Sequence, residues 1–152
     1  MEPVYKKAGI ADCEMLVKTR IEILRVINHL DNSVDMSLFE KNVRDYYIKA
    51  LGNDSHFALL VFDGDTFIGA GGISFYQVMP SYHNPGGNEA FLMNIYTAPL
   101  YRKHGIGRGI LDRLVNEAHS RGVYTIILDS TKMGRPLYEK YGFKPLDDYM
   151  AL

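Results

Sequence analysis

Between positions 11 and 30, Met15, Leu16, Thr19, Ile23, Val26, Ile27 and Leu30 recur at spacings of three and four. One face of a helix collects them, and Asp12 is placed to cap it. Residues 37–51 repeat the helical period, with Ser37 and Glu40 as a capping-box pair. Then the period changes. Residues 56–62, HFALLVF, form an apolar run suited to a strand buried on both faces. Asp63-Gly64-Asp65 reads as a hairpin turn, and 66–78 as the returning strand. Gly69, Gly71 and Gly72 within it predict a bulge or a close backbone approach. A loop over 79–88 leads to a long strand over 89–98, stopped by Pro99. Further on, Ile106, Ile110, Leu111, Leu114, Val115 and Ala118 make the stripe of a helix that Gly122 ends. Residues 123–129 read as a buried strand and 135–142 as a short helix between Pro136 and Gly142; 143–152 begin as a last strand. A short first strand fits 4–8. This order predicts a mixed α/β fold with helices on both faces of one sheet, in a single domain spanning 1–152.

Composition narrows the function classes. The chain has 152 residues, 47% apolar and 23% charged, with a net charge of -1. No basic excess marks a general nucleic-acid binder, and no apolar run reaches the roughly 18 residues of a membrane span. The start, MEPVYKK, lacks the apolar segment of a secretory signal, so a cytoplasmic location is expected. Cys13 is the only cysteine, which rules out an internal disulfide. His29, His56 and His119 show no metal-ligand spacing, so no metal is expected.

The stretch YRKHGIGRGIL, 101–111, sets glycines at 105, 107 and 109 among basic residues, where the long helix begins. A helix start carries amides without partners and a partial positive charge, and so attracts an anion. Residues without a Cβ let that anion reach the amides, and Arg102, Lys103, His104 and Arg108 add to the field. The stretch is a phosphate cradle or simply a tight strand-to-helix turn that needs positive φ. It is not a nucleoside-triphosphate loop, because Arg108 and Gly109 follow Gly107 where Lys and Ser/Thr are required. It also misses the third glycine of the dinucleotide fingerprint.

Arg102, Gly105 and Gly107 do meet the fixed positions of Arg/Gln-x-x-Gly-x-Gly/Ala. In this respect YRKHGIGRGIL resembles the acyl-CoA loop of the GNAT superfamily of N-acetyltransferases. NIYTAP (94–99) before it and LYEKYGF (137–143) after it resemble the flanking motifs of that superfamily. The likeness is clear over about residues 89–145 and weak over the first 55. It implies a twisted, mostly antiparallel sheet in which the fourth and fifth strands splay apart, with helices on both faces.

The resemblance further implies acetyl-CoA as cosubstrate. Amides from Lys103 through His104, Gly105, Ile106 and Gly107 to Arg108 would bind the pyrophosphate. The backbone of Ile95, Tyr96 and Thr97 would pair with the pantetheine arm as an added strand would. The amide of Ile95 would face the thioester oxygen and stabilise an oxyanion, with a bulge expected between Met93 and Tyr96. Tyr138 matches the general acid of the family: a phenol with pKa near 10 stays protonated at pH 7 and can donate to the departing thiolate. Tyr141 is its neighbour and competitor. Thr131 stands where many relatives have an asparagine contacting the cofactor arm, and Gly134 where they have alanine.

A base must take the proton of the amine. The strand glutamate used by some relatives falls on Phe91 here, which leaves Glu89, His83, Glu22 and, through water, Asn94 as candidates; Glu89 is the chosen expectation. No cysteine or serine–histidine arrangement suggests a covalent relay. The expectation is therefore direct transfer of acetyl from acetyl-CoA to a primary amine of a small molecule or peptide. The rival is a non-catalytic acyl-CoA-binding module on the same fold. Segment 20–47 and loop 79–88 are expected to set specificity, with Glu22, Asp31, Asp35, Tyr82 and His83 compatible with a cationic amine. Exposed sheet edges make a homodimer plausible.

Overall fold

The computed structural model describes residues 1–152. Its strands are β1 (Val4–Lys7), β2 (His56–Asp63), β3 (Thr66–Gln77), β4 (Asn88–Thr97) and β5 (Thr125–Leu128). Its α-helices are α1 (Cys13–Ile27), α2 (Ser37–Gly52), α3 (Ile106–Ser120) and α4 (Arg135–Tyr141). The strands lie in the order β1-β2-β3-β4-β5. The first three pairings are antiparallel and β4–β5 is parallel. Gly64 turns the β2–β3 hairpin at φ 58°, a conformation that glycine adopts without steric cost.

The apolar run of β2 is buried on both faces. Ala58 and Leu60 join Leu16, Val17 and Tyr47 under α1 and α2. Leu59 and Val61 join Ile68, Ile73, Leu92 and the α3 stripe Ile106, Ile110, Leu111, Leu114 and Ala118. Each fully buried Leu or Ile contributes on the order of 1.5–3 kcal/mol relative to exposure, so this second layer anchors α3 and fixes where its N-terminus points. Gly122, at φ 73°, lies just past the C-cap of α3, as its position predicts.

Three local expectations are corrected. Residues 143–152 form no strand: Pro145 has no N–H to donate, and the polar pair Asp147–Asp148 interrupts the apolar pattern. The capping box of α2 is not made. Met36 is its N-cap, Asp35 accepts from the Ser37 amide at 2.9 Å, and Glu40 instead pairs with Arg44 at 3.1 Å. Strand β5 is shorter than 123–129. Of the bulge or close approach expected at the β3 glycines, the structure makes the close approach, and the extra residue of the pairing sits on the facing strand. Between Ala70↔Tyr96 and Gly72↔Met93, β3 contributes Gly71 alone while β4 contributes Asn94 and Ile95. Gly71 serves the close approach of Ile110 on α3.

Candidate active site

The turn into α3 is built from two left-handed residues, Lys103 at φ 63° and Gly105 at φ 83°. They fold the chain so that successive amides line the helix mouth. The amides of Lys103, His104, Gly105, Ile106, Gly107 and Arg108 have no backbone acceptor, and the first such bond is Gly109 N–H to Gly105 O at 3.0 Å. The tight turn and the open cradle are thus the same feature. Gly107 leaves room for Leu137 of α4, whose Cδ2 lies 2.9 Å from where a Cβ would stand. Gly109 faces away from the cradle: a Cβ there would strike the Tyr5 hydroxyl. Tyr5 is in turn covered by the Arg113 guanidinium, 3.7 Å from the ring centroid.

Two of the four basic side chains are engaged. Arg102 Nε donates to the Thr97 carbonyl at 3.1 Å, which ties the loop to the end of β4. Arg108 pairs with Asp112 at 3.3 Å and lies 4.6 Å over the Tyr141 ring. Lys103 and His104 remain exposed.

Strand β4 leads from this mouth into the middle of the sheet. It pairs with β5 only from Glu89↔Thr125 to Leu92↔Leu128, then continues to Thr97 with no strand on that side. This is the expected parting of the fourth and fifth strands. The expected bulge is also present: Asn94 adopts φ 62°, which asparagine tolerates better than most residues, and it is 9% exposed. Ile95 turns toward the α3 layer, while Tyr96 stacks on Phe67 with centroids 6.1 Å apart. Thr97 Oγ1 lies 4.0 Å from the Cβ position of Gly107, so β4 reaches the cradle directly.

Helix α4 borders the parted strands. Tyr138 packs on the α3 layer, its ring edge-on to Phe143 at 6.2 Å. Gly134 fits beneath that ring, because a Cβ there would lie 3.0 Å from it. Burial alone raises the Tyr138 phenol above its ordinary pKa. Tyr141 is raised as well, first by burial and then by its hydrogen bond to Asp112. Thr131 Oγ1 accepts from the Gly134 amide at 3.1 Å, a local turn that precedes α4.

On the opposite face, a cavity of about 390 Å³ is walled by Arg20, Phe39, Asn42, Val43, Tyr46, Tyr47, Ser74 and Met93. It reaches the bulge, where an Arg20 guanidinium N–H donates to Asn94 Oδ1 at 3.5 Å. Behind its wall lies His56, 3% exposed. Its Nδ1 is 2.9 Å from the Tyr46 hydroxyl and 3.2 Å from Ser74 Oγ, and those two oxygens are 2.7 Å apart. Burial, reinforced by the Arg20 charge, lowers the His56 pKa to about 4. A consistent assignment has Ser74 donating to Tyr46 and Tyr46 donating to Nδ1 of the neutral ring.

Glu89 is not brought to this centre. It stands opposite Tyr76 at the start of β4, five residues and about 16 Å along the strand from Asn94 at the usual rise. Its carboxylate, after burial, helps push the Tyr76 phenol upward. Glu22 and His83 are exposed on α1 and on the 79–88 loop. Asp31 accepts from the Ser33 amide and Asp35 from the Ser37 amide, both in local turns. Of the candidates for the base, only Asn94 is at the bulge.

Arg20, His56 and Ser74 escaped the sequence reading as a group because they come from α1, β2 and β3. Hairpin counting from Asp63↔Thr66 places Ile73 opposite His56. A register shift between Val61 and Phe62 puts Ser74 there instead.

The profile of the Acetyltransferase (GNAT) family matches residues 23–143, and the chain belongs to that family. Its fold superposes with a TM-score of 0.91 on the crystal structure of a predicted acetyltransferase with acetyl-CoA from Clostridium acetobutylicum. That likeness is 33% identical and covers 99% of this chain and 96% of the other. Among curated relatives, glucosamine 6-phosphate N-acetyltransferase of Trypanosoma brucei brucei is 30% identical over 76 residues, 50% of this chain and 52% of the relative. The ribosomal protein bS18-alanine N-acetyltransferase of Escherichia coli K12 is 41% identical over 59 residues, 37% of this chain and 40% of the relative. The chain thus matches about half the length, or less, of these relatives. No helix is long and apolar enough to cross a membrane.

Proposed function

We propose that this protein is an N-acetyltransferase that moves the acetyl group of acetyl-CoA directly to a primary amine of a small molecule or peptide. The observation that carries the reading is the run of unpaired amides from Lys103 to Arg108, continuous through Thr97 with the open side of β4. Those amides suit a diphosphate, and an open strand edge suits an extended amide-bearing chain. The residues present therefore fit acetyl-CoA, which supplies an activated acyl group as a thioester.

The chain's own groups then divide the work. Amides 103–108 hold the phosphates, with Lys103 adding charge at the rim. The backbone of Ile95, Tyr96 and Thr97 orients the arm, and the Ile95 amide is assigned to the thioester oxygen. Thr131, engaged in its own turn, is a secondary contact. Tyr138 holds a proton for the leaving sulfur, and its burial keeps that proton in place at neutral pH. The amine enters from the α1/α2 face through the cavity at the bulge. There the Tyr46 and Ser74 hydroxyls, backed by neutral His56, are available to hydrogen-bond it.

The test is calorimetric titration with acetyl-CoA, followed by a thiol-release assay over a panel of amines. Binding with stoichiometric thiol release is the expected result. No heat with acetyl-CoA would overturn the reading; binding with silence across the panel would replace catalysis with acyl-CoA sensing.

A further inference from the structure

We infer that the acceptor carries an anionic group, a carboxylate or a phosphate, besides its amine, and that Arg20 is the residue that selects for it. This rests on the reading of the Arg20 cavity as the acceptor site.

The argument starts from what each arginine does. Arg44, Arg108, Arg121 and Arg135 are in ion pairs with carboxylates. Arg25, Arg102 and Arg113 donate to main-chain carbonyls. Arg20 has neither; its recorded bond is the long one to neutral Asn94, at 3.5 Å. It is half-buried on the wall of a cavity otherwise made of aromatic, aliphatic and neutral polar side chains. Its positive charge is felt by Tyr47 and His56 alike, lowering the pKa of both against or alongside the effect of burial.

A guanidinium so placed presents a rigid fork of donors with no anion in reach, which is the arrangement that recognises carboxylate or phosphate. No carboxylate lines the cavity. A polycationic acceptor would meet a like charge there and find no counter-charge. The acidic residues that the sequence offers for a cation are elsewhere: Asp31 and Asp35 are tied to turns, and Glu22 is exposed. The volume, about 390 Å³, lies near the lower end of the usual 300–1,000 Å³ for ligand sites, which favours a small acceptor. Phe39, Tyr46 and Tyr47 give its body an apolar wall, and Asn42, Tyr46 and Ser74 give it hydrogen-bonding groups.

The experiment uses matched pairs that differ in the anion: phenylalanine against phenylalaninamide for a carboxylate, and glucosamine 6-phosphate against glucosamine for a phosphate. Binding to the acetyl-CoA-free protein is measured by calorimetry, and acetyl transfer by thiol release, for the wild type, Arg20→Gln and Arg20→Lys. For at least one pair, the anionic member is expected to be favoured about tenfold or more by the wild type. That ratio should fall toward one in Arg20→Gln and partway in Arg20→Lys, with both variants checked for folding by thermal unfolding. The favoured pair tells a carboxylate acceptor from a phosphate one. Equal affinity within both pairs, or a preference for the neutral members, would overturn the inference whatever the catalytic outcome. An Arg20-dependent preference in binding without any thiol release would uphold it and defeat the transfer reading instead.

Discussion

The Tyr46 hydroxyl, on α2, lies 2.9 Å from Nδ1 of His56, on β2, and closes the cavity at the bulge from behind. The imidazole is buried and neutral, held near a pKa of about 4 by burial and by the Arg20 charge. Because the native value is depressed below the unfolded one of about 6.5, the unfolded chain binds a proton that the native chain refuses. The stability due to this group is whole above pH 6.5 and is lost as pH falls toward 4, roughly 3 kcal/mol in all. Denaturant unfolding at stepped pH should show that slope in the wild type and lack it in His56→Asn. Imidazole resonances of His56 should stay at their neutral positions down to about pH 5. A neutral-range titration would refute the assignment.

Tyr138→Phe tests the proton donor. The ring keeps its packing on Phe143 and over Gly134, so folding and acetyl-CoA affinity should barely change. Turnover is expected to drop about 100-fold or more, the usual scale for losing a general acid. In the wild type, any alkaline limb due to this phenol belongs above pH 10, since burial raises it. Undiminished turnover in the variant would remove Tyr138 from the mechanism.

Two of the three glycines of 105–109, Gly105 and Gly109, should separate by phenotype. Gly105→Ala forces an alanine to φ 83° and re-aims the cradle, so acetyl-CoA affinity should weaken along with a loss of about 1–2 kcal/mol in stability. Gly109→Ala instead displaces the Tyr5 ring, an effect on stability set against the roughly 1 kcal/mol that alanine gains over glycine inside a helix, and should leave affinity near the wild-type value. Calorimetry and chemical denaturation on both variants decide this. A Gly109→Ala protein that is stable yet binds poorly would contradict the division.

Acetyl-CoA should also stabilise the fold by mass action, about 2.7 kcal/mol at a hundredfold excess over Kd. Hydrogen exchange should locate the effect. Slowing is expected at amides 103–108 and along 93–97, with the β1–β2 pairing little altered. Protection confined to other segments would place the ligand elsewhere.

The sequence made β2, its hairpin and α3 legible because each follows from a local pattern: an unbroken apolar run, Asp-Gly, and a stripe closed by Gly122. It made the cradle legible because Gly105 bears on backbone geometry close by in the chain, whereas the partner of Gly107, Leu137, lies on α4. It did not yield the absent last strand, since the onset at Phe143 looks apolar and what fails is pairing beyond Pro145. Nor did it yield the Arg20 cavity, whose wall is assembled from four separate elements and depends on the register shift between Val61 and Phe62. The role of Gly109 was hidden for a similar reason: its partner, Tyr5, lies about a hundred positions earlier.

Asn94 leaves a mark on how β4 must be spelled. Ala90 and Leu92 face the α3 layer, as does Ile95; Met93 and Asn94 both turn to the other side, and Tyr96 follows them. Even-numbered positions are interior before the bulge and odd-numbered ones after it. Straightening the strand with Asn94 kept in it would therefore do more than remove a kink. It would transpose every later side chain of the strand, driving Tyr96 into a space shaped for Ile95 and leaving Ile95 against Phe67. The polar kink and the phase of the apolar letters around it must change together or not at all.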